Sequence, residues 1–285
     1  MNIINAIIEL VENPIDEIKN HYESNNRVNH TGNALEEYVK DLFCGTVYET
    51  NENARLERMS EVFSYLGNAT NPPDVILRGG DAIEIKKLES DNPALALNSS
   101  YPKHKLLASN PLINQACRNC EEWTEKDIIY AVGVMKATSL RSLIFVYGED
   151  YAADIEIYSK IKKTIKTSVE SIQGVEFSET RELGRINRVD PLGITYLRVR
   201  GMWHIENPWV VFNYIYQRDN SRDFNFACII NNEKWHKLTN IKDLLELSSK
   251  KDNLAITDVR IKDTNNPAIL KDAKLITFYR QYCKT

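Results

Sequence analysis

The sequence predicts an α/β fold, a mixed central sheet flanked by helices with a β-rich C-terminal extension. Three observations predict it. The patterns run helix, possible strand, strand, strand, helix, strand, an order that sandwiches a sheet between helices. Two β-branched runs, Asp74–Arg78 and Ala82–Leu88, flank the pair Gly79-Gly80, as in a β-hairpin. The run Ser142–Tyr147 is continuously apolar, as in a strand buried on both faces.

The elements follow in order. Ile3, Ile4, Ile7, Ile8 and Val11 recur at helical spacing, so the N-terminus reads as a packed amphipathic helix. Thr31-Gly32 opens a second helix, with Leu35, Tyr38, Val39, Leu42 and Phe43 on one stripe. Residues 60–66 read as a strand, and Asn71-Pro72-Pro73 ends what precedes the hairpin. The segment 89–120 reads as irregular and polar. Thr124 with Asp127 resembles a capping pair, which predicts a helix to about Ala137. Asp154–Ser171 reads as a long helix whose lysines at 160, 162, 163 and 166 form a solvated face. Residues 194–230 hold strand-like pieces rich in aromatics, including Trp203, Trp209, Tyr214 and Tyr216. The 285 residues read as one domain, with N-terminal helices over 1–50, a core over 58–150 and a β-rich region over 151–285.

Composition narrows the class. No apolar run reaches the length of a membrane span, and the N-terminus lacks a basic start, so a cytoplasmic location is expected. Five cysteines in so long a chain make no disulfide framework. Cys117 and Cys120 could form half of a zinc site, but the other half is missing, so zinc is not expected. A net charge of −4 does not favour a nucleic-acid partner, unless basic groups gather locally. Arg181, Arg185, Arg188, Arg198 and Arg200 do gather within twenty residues of sequence.

The chemistry-bearing group is Asp74, Glu84 and Lys86. Two convergent carboxylates are the minimal oxygen set for a hard cation such as Mg²⁺. An ammonium beside them can orient water and stabilise charge developing on a phosphodiester. Glu84 and Lys86 project from one face because they are two apart on a strand. Asp74 depends on the turn. A two-residue turn would set it facing Ile85, on the far side of the sheet. A three-residue loop, Gly79-Gly80-Asp81, would set it opposite Lys86 and diagonal to Glu84. The chemistry therefore predicts an odd-numbered connection.

Pro73-Asp74, nine intervening residues and Glu84-Ile85-Lys86 together resemble the PD-(D/E)xK nuclease signature. The resemblance implies a nuclease core in which Asp74, Glu84 and the Ile85 carbonyl hold one or two Mg²⁺ ions. It implies Lys86 beside the attacking water and Glu36, with Glu37 as the alternative, completing the site. The stretches TGNALEEYVKDLF, FSYLGN, NPPDVILRGGDAIEIKK, ALNSSYPKHKL and CRNCEEW further resemble the NgoPII-type restriction endonucleases over nearly the whole chain. That likeness implies a type II enzyme that cuts double-stranded DNA within a short palindrome, GGCC, leaving 5′-phosphate ends. A palindrome has twofold symmetry, so a homodimer is expected, with a DNA methyltransferase as genetic partner.

Candidate DNA contacts are the loop residues Ser99, Ser100, Tyr101, Lys103, His104 and Lys105, and the residues Arg198, Arg200 and His204. Trp203 and Trp209 beside the latter could equally be core aromatics. Two other readings compete: a structure-directed repair or recombination nuclease with the same core, and a non-catalytic DNA-binding module.

Overall fold

The computed structural model describes residues 1–285 except 16, 25–33, 69–70, 99, 179–182 and 282–285. The predicted helix start at Thr31-Gly32 lies outside the described residues. The chain opens with four helices, α1 (Ile3–Glu12), α2 (Ile18–Ser24), α3 (Ala34–Cys44) and α4 (Glu52–Val62). Asn2 caps α1 through a side-chain oxygen that accepts from Ile4 N at 2.9 Å. The apolar stripes of α1 and α3 are buried as their spacing predicts, except that Ile8 of α1 is only partly so.

Strands β1 (Phe63–Asn68), β2 (Asn71–Leu77) and β3 (Ala82–Leu88) follow, then the short β4 (Leu95–Asn98) and β5 (Lys105–Leu107). A single turn of helix, α5 (Gln115–Arg118), precedes the long strands β6 (Glu125–Lys136) and β7 (Ser139–Tyr147). After α6 (Gly148–Tyr151) and α7 (Ile155–Glu170) come β8 (Glu176–Phe177), β9 (Gly184–Asn187), β10 (Leu197–Val199) and β11 (Trp203–Ile205). The chain continues through α8 (Pro208–Val211), β12 (Phe224–Asn231), α9 (Asn232–Trp235), α10 (Ile241–Lys250), β13 (Leu254–Lys262) and β14 (Leu270–Arg280).

One mixed sheet dominates, in the order β1-β2-β3-β6-β7-β12-β14-β13, with β5 on the side of β6. Strands β3 and β6 run parallel, as do β7 and β12, and the other neighbours are antiparallel. One face of the sheet, including Ile83, Ile85 and Ile129, packs against α1, α3 and Leu244 of α10. The other, including Ile76, Ala82 and Tyr130, lies beneath Leu95, Leu97, Leu106 and Trp209. No helix among the described residues is long and apolar enough to cross a membrane.

Three expectations are corrected. Residues 125–136 form a strand and not a helix. Ile128, Ile129, Val132 and Val134 supply β-branched surface to both faces, and eight residues in succession, Ile128 to Met135, are buried. That two-sided burial outweighs the local resemblance of Thr124 and Asp127 to a cap. Residues 60–62 belong to α4, and the strand begins at Phe63. The C-terminal extension is also divided. Strands β12, β14 and β13 complete the central sheet, while β8–β10 form a small sheet and β11 pairs only with β4.

Candidate active site

The β2–β3 connection brings the predicted acids together. Leu77 N donates to Asp81 O at 2.9 Å, and Val75 pairs with Ile83 and Ile76 with Ala82. The loop is therefore three residues, Arg78-Gly79-Gly80, with Gly79 at φ +64°, where a side chain would be strained. The connection is odd-numbered, as the chemistry requires, but it sits one residue earlier than expected. Continuing that register places Asp74 opposite Glu84, with Lys86 on the diagonal. The regular ladder ends at Val75–Ile83. Beyond it the Asp74 carboxylate takes the place of a backbone acceptor, with Oδ2 accepting from Ile85 N at 2.6 Å. Asp74 and Glu84 thus share the face that carries Ile76, Ala82 and Tyr130.

The neighbouring strand permits this only because residue 67 is glycine. A Cβ there would stand 2.7 Å from the Asp74 carbonyl oxygen and 2.5 Å from that of Pro73. Both obstacles are backbone, so β1 can approach β2 at Asp74 only without a side chain.

Glu84 is 8% exposed. Its Oε1 holds Lys86 Nζ at 2.6 Å, while its Oε2 is buried without a hydrogen-bond partner. An unsatisfied buried carboxylate oxygen is expensive and calls for a ligand. Burial, then the like charge of Glu84, pushes the Asp74 carboxyl up to about 7, against the opposing pull of Lys86 and the Ile85 N–H. Burial alone would lower Lys86, but attraction to Glu84 and Asp74 prevails and raises it. Glu36 adds its charge to both Asp74 and Lys86. Its own carboxylate holds Lys40 Nζ at 2.7 Å, and Glu37 is tied to Lys40 at 3.0 Å and to Arg55 at 2.6 Å. No group of three or more His, Cys, Asp or Glu side chains suited to a metal occurs among the described residues.

The loop that was expected to meet DNA is more withdrawn than its composition suggests. Lys103 is 5% exposed, with its backbone N–H donating to the Tyr130 hydroxyl at 2.7 Å. Its Nζ donates to Ser100 Oγ. Lys105 belongs to β5 and pairs with Glu125 at 2.9 Å and Asp127 at 3.4 Å. His104 Nε2 lies 3.5 Å from Asp154, and Tyr101 stacks on Tyr158 at 5.6 Å. A cavity of about 240 Å³ opens here, lined by Tyr101, Lys103, His104, Asn110 and Asp154. Ser99 lies outside the described residues. Arg198 and Arg200 are exposed, Arg198 within the small β8–β10 sheet. His204 is exposed on β11, opposite Ala96 of β4. Trp209 is a buried core aromatic and Trp203 is half-buried. Burial pushes the Cys117 thiol up to about 12, and Cys120 Sγ accepts from Ser64 at 3.7 Å.

Sequence reasoning missed Tyr130, the register partner of Glu84 on β6. A helix reading of 124–137 gave it no relation to Glu84. As a strand, the same residues set every second side chain over the site.

Two acids and a lysine gathered on one hairpin of a mixed α/β sheet are a set of groups that metal-assisted hydrolysis can use. The sequence model of the NgoPII restriction endonuclease matches residues 1–262, and the chain belongs to that family. The type II restriction enzyme NgoPII of Neisseria gonorrhoeae is 57% identical over 280 residues, which cover 98% of this chain and 100% of that protein. The chain is accordingly a restriction endonuclease. No solved structure matches it.

Proposed function

We propose that this restriction endonuclease uses Asp74, Glu84 and Lys86 to cut both strands of a short palindromic DNA site, with Mg²⁺ as cofactor and as a homodimer. The supporting observation is the pairing of Asp74 with Glu84 on one face, next to Lys86, while Glu84 Oε2 is buried and unsatisfied. Two carboxylates that repel each other and one orphaned oxygen fit a hard divalent cation. Asp74, Glu84 and the Ile85 carbonyl would hold it, and with no third acid among the described residues grouped there, water would complete its shell. When bound, the ion supplies charge neutralisation at the phosphate and a more acidic water.

The chain's own groups do the rest. Glu84 fixes the Lys86 ammonium at 2.6 Å, so it meets the incoming phosphate already oriented. The Ile85 N–H holds Asp74 Oδ2 at 2.6 Å and so fixes the carboxylate in place. Lys86, kept protonated by the two acids, stabilises negative charge as it grows on the phosphate oxygens. The PD-(D/E)xK core, the GGCC target, the 5′-phosphate ends, the auxiliary role of Glu36 and the partnership with a methyltransferase rest on family resemblance.

The test is digestion of unmodified plasmid with Mg²⁺, with Ca²⁺ or with a chelator, followed by sequencing of the ends. Discrete fragments with Mg²⁺, and binding without cutting in Ca²⁺, are expected. Asp74→Ala and Lys86→Ala should bind DNA and leave it whole. Cutting by either variant at the wild-type rate would remove these residues from the chemistry.

A further inference from the structure

Among the described residues, Lys103 is a buried cation with no carboxylate in contact. It lies between β4 and β5, and its backbone is fixed from two sides. Its N–H donates to the Tyr130 hydroxyl at 2.7 Å. Its carbonyl oxygen occupies the space a Cβ on Gly148 would need, so only glycine lets the end of β7 approach so closely. Tyr130 is the register partner of Glu84 on the adjoining strand, so both side chains leave the same face of the sheet. The ammonium consequently feels both Glu84 and Lys86.

Other lysines withdrawn from solvent are neutralised. Lys40 holds Glu36 and Glu37, Lys126 holds Glu121, and Lys234 holds Asp81 and Asp127. Lys103 has a hydroxyl partner, Ser100, and no carboxylate within 4 Å among the described residues. Burial, countered by Glu84 and reinforced by Lys86, brings its ammonium down to about 8, so it remains largely charged near neutrality. Holding such a charge in a dry site is costly unless an anion arrives. The anion that a DNA substrate would bring to Glu84 and Lys86 is a phosphate.

We propose that Lys103 is a second cation of the active site, contacting a non-bridging oxygen of the phosphate that is cut. The proposal rests on Asp74, Glu84 and Lys86 being the active site. It narrows the expected DNA contact of Lys103 to a phosphate, a contact that carries no sequence information. Charge on the non-bridging oxygens grows as the attacking oxygen bonds to phosphorus and the bond to the leaving oxygen breaks. A fixed ammonium in low dielectric therefore acts more strongly on the transition state than on bound substrate.

The experiment compares wild type, Lys86→Ala, Lys103→Met, Lys103→Gln and Lys103→Arg on a duplex containing a mapped cut site. Single-turnover rates are measured in Mg²⁺ with enzyme saturating, affinities in Ca²⁺, and melting temperatures without DNA. Lys103→Met and Lys103→Gln should cut about 10²-fold more slowly, as when one transition-state donor is removed. Their affinity should stay within about threefold, their cut site should be unchanged, and they should melt no lower than wild type. Lys103→Arg should recover part of the rate. Rates within about threefold of wild type would overturn the proposal. So would a loss carried wholly by affinity, a changed cut site, or a slow variant that melts well below wild type with Arg giving no recovery. Undiminished cutting by Lys86→Ala would instead overturn the active-site reading itself, whatever Lys103 does.

Discussion

Two charge clusters flank strand β3, and they treat their acids differently. At its start, Asp81 Oδ1 holds Lys234 Nζ at 2.6 Å and Oδ2 accepts from the Tyr147 hydroxyl at 2.9 Å. Asp127 shares the same ammonium at 2.6 Å and a second, Lys105, at 3.4 Å. Both oxygens of each acid are engaged. Further along β3, Glu84 has one oxygen on Lys86 and one on nothing, and Asp74 holds a single N–H. Burial of charge alone would mark both clusters as functional. Satisfaction separates them: the first is a closed clamp between the hairpin, β6 and α9, and the second has valences left open for a ligand.

The largest expected effect breaks the open cluster. Glu84→Gln keeps shape and removes charge, and the cutting rate in Mg²⁺ should fall about 10³-fold, roughly 4 kcal/mol of transition-state stabilisation. A duplex-cleavage time course reads it, and a fall under tenfold would mean that Glu84 belongs with the clamp. The clamp should answer in stability. Lys234→Met leaves Asp81 with no ammonium and Asp127 with Lys105 alone, and should destabilise the fold by about 3 kcal/mol in a urea titration. Its cutting rate per folded molecule should stay near wild type. A variant equally stable but inactive would reverse the two assignments.

A smaller effect uses the raised Asp74 carboxyl. The folded state holds that proton more tightly than the unfolded chain, whose carboxyl titrates near the usual value of about 3.9. Stability from this group is therefore full below pH 4 and is lost as pH rises towards about 7, after which the deficit stays constant. Asp74→Asn mimics the protonated form at every pH. Without metal it should be more stable than wild type by about 2 kcal/mol at pH 8, a value moderated by water entering the cleft, and indistinguishable at pH 4. Added Mg²⁺ should narrow the gap by stabilising wild type alone. A pH-independent difference would deny that the two acids strain each other.

The candidate site is more legible in the sequence than the fold around it. Asp74, Glu84 and Lys86 lie within thirteen residues on one hairpin, and period-two alternation with loop parity relates them without long-range information. The reading still misplaced the loop by one residue, because Gly79-Gly80 suits either position and the choice is made by Leu77 N closing on Asp81 O. Residues 125–136 were misread because a local capping pattern says nothing of what packs on the other face. Lys103 illustrates the same limit. Its segment is polar, but β4, β5 and Gly148 enclose it, and nothing within the segment encodes that enclosure. The C-terminal strands are expected only as a β-rich extension continuous with the core. Strand β12 joins β7 across about eighty residues of sequence, a pairing fixed by tertiary burial and not by any local pattern.

The smallest effect tests whether the open cluster depends on backbone placement as well as charge. Gly67→Ala adds one methyl that must push against the Pro73 and Asp74 carbonyl oxygens, and no flexible side-chain end is there to yield. The strand β2 must shift at Asp74 by about half an ångström or more, which lengthens its 2.6 Å contact with Ile85 N. Cutting should slow about tenfold, or roughly 1.4 kcal/mol, because small misplacements of a catalytic group are felt strongly in rate. The clamp lies at the other end of the hairpin and should not notice, so Lys234→Met and Gly67→Ala should add independently in stability. Raising Mg²⁺ should recover part of the Gly67→Ala rate if the displaced Asp74 weakens ion binding. A rate equal to wild type at all Mg²⁺ concentrations would show that β1 can retreat, leaving the Asp74 carboxylate where charge alone holds it.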